Sequence, residues 1–140
     1  MAVGLVSCSS SKSSEAKRPK ELYMESVLFE KARNHCERFH DSWYVLSAKH
    51  GLLEPDGSKI EPYDLALSDL DAEERRKWGS EVVTELRQQN VTDDRLVIHA
   101  GKDYYEPLLE ALGEVEYEIP TEGLRYGESL AWYNEQIEDL

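Results

Sequence analysis

Lys49-His50-Gly51 places a cation, a titratable ring and a flexible backbone side by side, directly after the β-forming run Trp43-Tyr44-Val45-Leu46 and the turn residues Ser47 and Ala48. An imidazole can give or take a proton near neutral pH. A lysine ammonium pairs with phosphate, or attacks as an amine where desolvation lowers its pKa. A second polar set, Ser7-Cys8-Ser9-Ser10-Ser11-Lys12, follows Ala2-Val3-Gly4-Leu5-Val6. The hydroxyls and N–H groups around Ser9 and Ser10 suit an anion, and Lys12 offers the same two roles as Lys49. Cys8 reads either as a nucleophile activated by an adjacent cation or as a small buried residue at a strand end. A third set, His99-Ala100-Gly101-Lys102-Asp103-Tyr104-Tyr105, follows Leu96-Val97-Ile98. Gly101 permits close backbone approach. Tyr63, Tyr104 and Tyr105 could stack on a base or pack in a core, and His99 reads best as a hydrogen-bonded core residue.

These sets need elements to hold them. Residues 2–6, 43–46, 96–98 and 115–119 read as four strands. Pro19 starts a helix expected to run to Phe39, with Leu22, Ser26, Phe29, Ala32, Cys36 and Phe39 on one stripe. Tyr23 and Ser26, three apart, face the same way near its start. Asp71-x-x-Glu74 caps a helix to about Gln89 that buries Trp78, Val82 and Leu86. Asp103 is expected to cap a helix from Tyr104 to Leu112, ended by Gly113. A last helix from about Glu128 carries Leu130, Tyr133, Ile137 and Leu140 on one face. Between Ser47 and Leu67 the breakers Pro55, Gly57 and Pro62 predict a long loop.

The order β-α-β-loop-α-β-α-β-α predicts one α/β domain over residues 1–140. It is a three-layer α/β/α arrangement with a four-stranded, mainly parallel sheet, because right-handed crossovers keep such strands parallel. The loops at 7–12, 47–51, 99–103 and 120–127 then emerge along one edge, where open α/β sheets bind ligands.

Composition narrows the partners. Twenty-nine acids against 16 bases give a formal charge of −13, so net electrostatics oppose adhesion to nucleic acid. Lys12, Lys17, Arg18 and Lys20 form the single local basic cluster. With 40% hydrophobic residues the chain is not a disordered polyanion, and a carboxylate-dense surface fits a salt-rich cytoplasm, as in a halophilic source. No apolar run approaches the roughly 20 residues of a membrane span, and no leader pattern opens the chain, so a cytoplasmic location is expected. Two cysteines make no disulfide framework. There is no Gly-x-x-x-x-Gly-Lys-Ser/Thr loop, and no His-x-x-x-His or Cys-x-x-Cys spacing, so neither a nucleotide P-loop nor a metal or other cofactor is expected.

Leu46-Ser47-Ala48-Lys49-His50-Gly51-Leu52-Leu53-Glu54-Pro55, followed by Glu61-Pro62-Tyr63, resembles the Leu-Ser-x-x-Tyr-Gly-x-Leu-x-Pro and Gln-Pro-Tyr segment of the YaaA peroxide-stress proteins. The chain as a whole is similar to small domains of unknown function that share Ser-Cys-x-x-x-Lys, Leu-Tyr-x-x-Ser-x-x-Phe and Leu-Ser-Ala-Lys-His-Gly-Leu. Cys8-x-x-x-Lys12 and Tyr23-x-x-Ser26-x-x-Phe29 resemble a pattern in the core domain of archaeosine synthase, a tRNA-modifying protein, with a longer gap and Phe29 in place of a histidine. These resemblances imply a YaaA-like or uracil-glycosylase-like fold with a pocket for a nucleobase, nucleotide or nucleic acid. The expected roles follow: Lys12, His50 and Cys8 as catalytic groups, and Ser9, Ser10, Tyr23, Ser26, Ser47, Lys49, Gly51, Tyr63, Gly101 and Tyr104 as binding groups. A non-catalytic nucleotide-binding module and a protein-docking domain are the alternatives.

Overall fold

The computed structural model describes residues 2–10 and 12–138; Ser11 and Leu140 lie outside them. Strand β1 (Ala2–Ser7) runs through the middle of the sheet, parallel to β2 (Ser42–Ser47) on one side and β4 (Arg95–His99) on the other. Its four central residues are buried, as a strand covered on both faces requires. A short strand β3 (Gly51–Leu53) pairs antiparallel with β2, and a two-residue β5 (Tyr117–Glu118) pairs parallel with β4. The sheet therefore has five strands in the order β3-β2-β1-β4-β5, mostly parallel, rather than the four expected. The extra strand is a tight hairpin closed by the Ser47–Gly51 pairing, with Gly51 at a φ of +74°. Three residues are too few to show a period of two, which is why the stretch reads as loop.

The first predicted helix is two. α1 (Pro19–Leu22) is a single turn, and α2 (Val27–Phe39) begins afresh at Ser26, whose backbone is extended and whose hydroxyl accepts from Phe29 N–H at 3.2 Å. Ser26 is a cap, not part of an apolar stripe, and Phe39 at the far end of the stripe is exposed. α3 (Ala72–Gln88) starts at the expected box, in which Asp71 accepts from Glu74 N–H and Glu74 from Asp71 N–H. α4 (Lys102–Leu112) starts two residues earlier than expected: Gly101 is its cap, and Asp103 lies in its first turn 3.8 Å from Arg75. α5 spans Tyr126–Glu138 and buries Tyr133.

α2 packs against β1, β2 and α5, while α3 packs against β3 and α4. Two glycines set these distances. A Cβ on Gly79 would stand 2.5 Å from the Pro107 carbonyl oxygen, so α3 and α4 touch backbone to backbone there. A Cβ on Gly4 would stand 2.5 Å from Cys36 Sγ and 2.8 Å from His40 Cδ2, so α2 and the residue after it lie directly on the central strand. No helix among the described residues is long and apolar enough to cross a membrane.

Candidate functional site

From β1 the chain crosses to β2 on one side, then passes back over β1 to β4 on the other. The reversal point lies between β1 and β4, and ligands of open α/β sheets bind beyond the carboxyl ends of such a pair. A cavity of about 330 Å³ opens there, lined by Val6–Ser9 at the end of β1, His99–Gly101 at the end of β4, Ser26, Leu28, Phe29 and Ala32 at the start of α2, and five residues, Thr121, Leu124, Tyr126, Ser129 and Tyr133, around the start of α5. This is within the usual range of small-ligand sites, at its lower end. Among the described residues, the lining contains no Asp, Glu, Lys or Arg. It presents the hydroxyls of Ser7, Ser9, Ser26, Thr121, Ser129 and Tyr133 beside the apolar walls of Leu28, Phe29 and Leu124. Tyr126 stands at the wall with 60% of its surface exposed.

Next to the cavity, four chain segments meet on one phenol. Tyr63 Oη lies 2.6 Å from Tyr23 Oη and 2.7 Å from Ser47 Oγ. Ser47 Oγ also accepts from His50 N–H at 3.0 Å, and Trp78 Nε1–H donates to the Ser47 carbonyl at 2.9 Å. The Lys12 ammonium sits 4.6 Å from the Tyr63 ring centre and 5.9 Å from that of Tyr23. Lys49 sits 5.9 Å from the same Tyr63 ring, and the exposed His50 ring meets it edge-on at 5.4 Å. Lys12, Lys49 and His50 thus share one aromatic platform, held in range by cation–π attraction. Burial pushes the Tyr23 pKa up to about 12 and raises that of Tyr63 further. Both phenols therefore stay protonated and act as hydrogen-bond donors at neutral pH. The His50 pKa is lowered, by burial first and by the Lys49 charge second, which favours its neutral, proton-accepting form.

Cys8 joins platform and cavity. It lines the cavity, its N–H donates to Leu46 O at 2.8 Å, and its sulfur lies 3.2 Å from Tyr104 Oη. Tyr104 comes from α4 and packs edge-on against Trp78 at 5.7 Å. Its pKa is pushed up by burial.

The expected residues therefore fall into two adjoining groups. Cys8, Ser9, Ser26 and Gly101 line the cavity; Lys12, Tyr23, Ser47, Lys49, His50 and Tyr63 form the platform; Tyr104 touches Cys8 between them. Ser10 is exposed, and Gly51 serves the β2–β3 hairpin, with α3 residue Glu85 beside it. Tyr105 packs half-buried against the core. The basic cluster divides by role: Lys20 pairs with Asp56 and Arg18 donates to Asp56 O at 2.8 Å, so both tie two loops together.

Sequence spacing missed Thr121, Leu124, Tyr126, Ser129 and Tyr133, although the 120–127 loop that carries several of them was placed at the correct edge. It also missed a histidine group. His35 and His40 come from α2 and its end, and His99 from the end of β4. His40 Nε2 lies 3.0 Å from His99 Nε2, and His99 Nδ1 lies 2.8 Å from Tyr133 Oη. Burial lowers the His35 pKa to about 4, with His40 adding to the effect, and lowers those of His40 and His99 as well. A separation of 59 residues between His40 and His99 hides the contact from any motif.

A family of unknown function, DUF6884, matches residues 3–135. The uncharacterised protein YfjM of Bacillus subtilis (strain 168) is 32% identical over 87 residues, which cover 59% of this chain and 57% of that protein. The match thus spans little more than half of this curated relative. No solved structure matches.

Proposed function

We propose, from the premise that the chain belongs to the DUF6884 family, that its strand-end cavity takes a nucleobase or nucleotide, free or within a nucleic-acid strand, and that the domain processes it. The observation that carries this reading is a cavity at the β1–β4 reversal point with no Asp, Glu, Lys or Arg among its described lining residues, next to a platform bearing two lysines. A neutral heterocycle edged with donors and acceptors suits the hydroxyl-rich lining, and its phosphate suits Lys12 and Lys49. Tyr23 and Tyr63 donate hydrogen bonds, and Tyr126 offers an exposed face for stacking. His50, neutral and exposed, is the proton carrier of the set.

The residue-level resemblance to YaaA and to the archaeosine synthase core supports the same ligand class, because the matching segments are those that build the platform. On this reading the packing of α2 with α5 and of α3 with α4 makes a three-layer α/β/α domain of the YaaA or uracil-glycosylase kind. The charge of −13 fits a saline cytoplasm, and unchanged solubility and stability between low and molar KCl would count against that part.

A specific observation favours a second reading, a binding module without catalysis. The buried hydroxyls of the platform keep their protons, and His50 is shifted by burial and by Lys49, with no carboxylate among the described residues contributing. Thermal shifts with nucleobases, deazapurines, nucleotides and short DNA or RNA oligomers in high KCl test both. A ligand at 100 times its Kd stabilises the native state by about 2.7 kcal/mol. We expect a shift with one of these classes that is reduced or lost in Lys12→Ala. Product formation that disappears in His50→Ala supports processing; saturable binding with no chemical change supports the module. No shift with any of them leaves docking of a protein partner as the surviving function.

A further inference from the structure

We propose that His35, His40 and His99 form a three-nitrogen binding site for one late first-row divalent metal ion, zinc foremost. One ring nitrogen from each of the three lies within 4.8 Å of the others. Ligands of a tetrahedral zinc, at about 2.0–2.1 Å from the ion, stand about 3.3 Å apart. The His40 and His99 Nε2 atoms, at 3.0 Å, already have close to that spacing.

The surroundings match what such a site requires. Tyr133 Oη meets His99 Nδ1 at 2.8 Å, which fixes that ring and leaves its Nε2 directed at His40. An outer partner on the second ring nitrogen is the usual companion of a metal-bound histidine. His35 Nδ1 and His40 Nδ1 are buried and have no hydrogen-bond partner among the described residues. Buried polar nitrogens are rarely left so; an ion held by His35 Nδ1 would give one of them a partner, while on His40 the nitrogen that faces the cluster is Nε2. The Phe39 and Trp132 rings pack tilted against His35, at 4.6 and 5.2 Å, and His35 and His99 are buried. Gly4 makes the arrangement possible, since a side chain there would displace His40.

The donor set selects the ion. Three neutral imidazoles suit zinc, copper or nickel, whereas magnesium and calcium require oxygen ligands. A three-nitrogen set leaves a fourth tetrahedral position for water or a bound ligand. His99 and Tyr133 also line the cavity, so the ion would lie next to it. The inference is independent of the ligand proposed for that cavity.

The test is metal titration of tag-free protein stripped with a chelator. We expect one tightly held zinc or cobalt per chain after gel filtration, and the intense visible bands of low-coordinate, nitrogen-bound cobalt(II). Tight uptake should be lost in His35→Ala and in His40→Ala. It should persist in His50→Ala, the chain's remaining histidine. Tyr133→Phe should weaken it by roughly 10–100-fold. Uptake equal to wild type in folded His35→Ala and His40→Ala would assign the metal to surface carboxylates and overturn the proposal. If those variants do not fold, the wild-type spectrum decides: weak octahedral bands, or none, overturn it.

Discussion

The hydroxyls of Tyr23 and Tyr63 lie 2.6 Å apart, with Ser47 Oγ 2.7 Å beyond Tyr63 on the same chain of hydrogen bonds. Three hydroxyls carry three protons but share only two bonds between them. One proton at an end of the chain is left to point outward. The array can therefore reverse its direction by rotating O–H bonds, offering a donor at either the Tyr23 end or the Ser47 end without moving a ring.

Tyr63→Phe removes the middle link and leaves two buried or half-buried hydroxyls short of a partner. The expected cost is about 1–3 kcal/mol, read as a lower midpoint in urea unfolding with an unchanged slope. Tyr23→Phe removes only an end link and should cost less. Equal losses would mean that Tyr63 is not the hub.

Gly79→Ala tests the α3–α4 contact. Its Cβ would face a backbone oxygen at 2.5 Å, so the helices must separate, and a loss of roughly 1–3 kcal/mol is expected despite alanine's better helix propensity. Gly4→Ala should also destabilise, but part of that loss should be recovered in Gly4→Ala with Cys36→Ala, because the nearest obstacle there is a thiol. Full additivity in that pair would remove Cys36 as the obstacle.

The two thiols should differ in reactivity. Cys36 is completely buried and burial raises its pKa, whereas Cys8 lines the cavity. Alkylation of the native protein followed by peptide mass mapping should label Cys8 and spare Cys36. A ligand that fills the cavity should slow labelling of Cys8. Equal rates for the two would contradict the cavity's position.

Metal-free protein should lose stability as pH falls from about 6.5 toward 4. The His35 pKa is about 4 in the folded chain, below its ordinary value of 6.5, and His99 is also lowered. In that window the unfolded chain binds more protons, so acid favours unfolding, and the histidine contribution is complete above the unfolded pKa. Chemical denaturation at several pH values should show a shallower slope in His35→Gln than in wild type. Parallel slopes would mean that His35 is solvated.

Much of the architecture is written locally. The central strand is a continuous apolar run, the Asp71–Glu74 box marks a helix start, and Gly113 marks a helix end. The platform was legible because Ser47, Lys49 and His50 are neighbours in the chain and Lys12 follows the adjacent parallel strand. What stayed hidden depends on distance along the chain. β3 exists only because β2 offers it an edge. The split between α1 and α2 turns on one hydroxyl choosing a cap over a stripe. His40 reaches His99 beside Gly4, on a third element, where a side chain would crowd the His40 ring.

The two loops that carry Lys12 and Tyr63 are stitched to each other. Lys17 and Ile60 exchange backbone hydrogen bonds at 3.2 and 2.9 Å, Lys20 N–H reaches Pro55 O at 3.1 Å, and Lys20 pairs with Asp56. Neither loop can swing away alone without breaking this seam. Opening over the platform would therefore be a concerted event of one double-stranded flap, and the amides of Lys17 and Ile60 should exchange with deuterium at the same rate and slow together when a ligand seats.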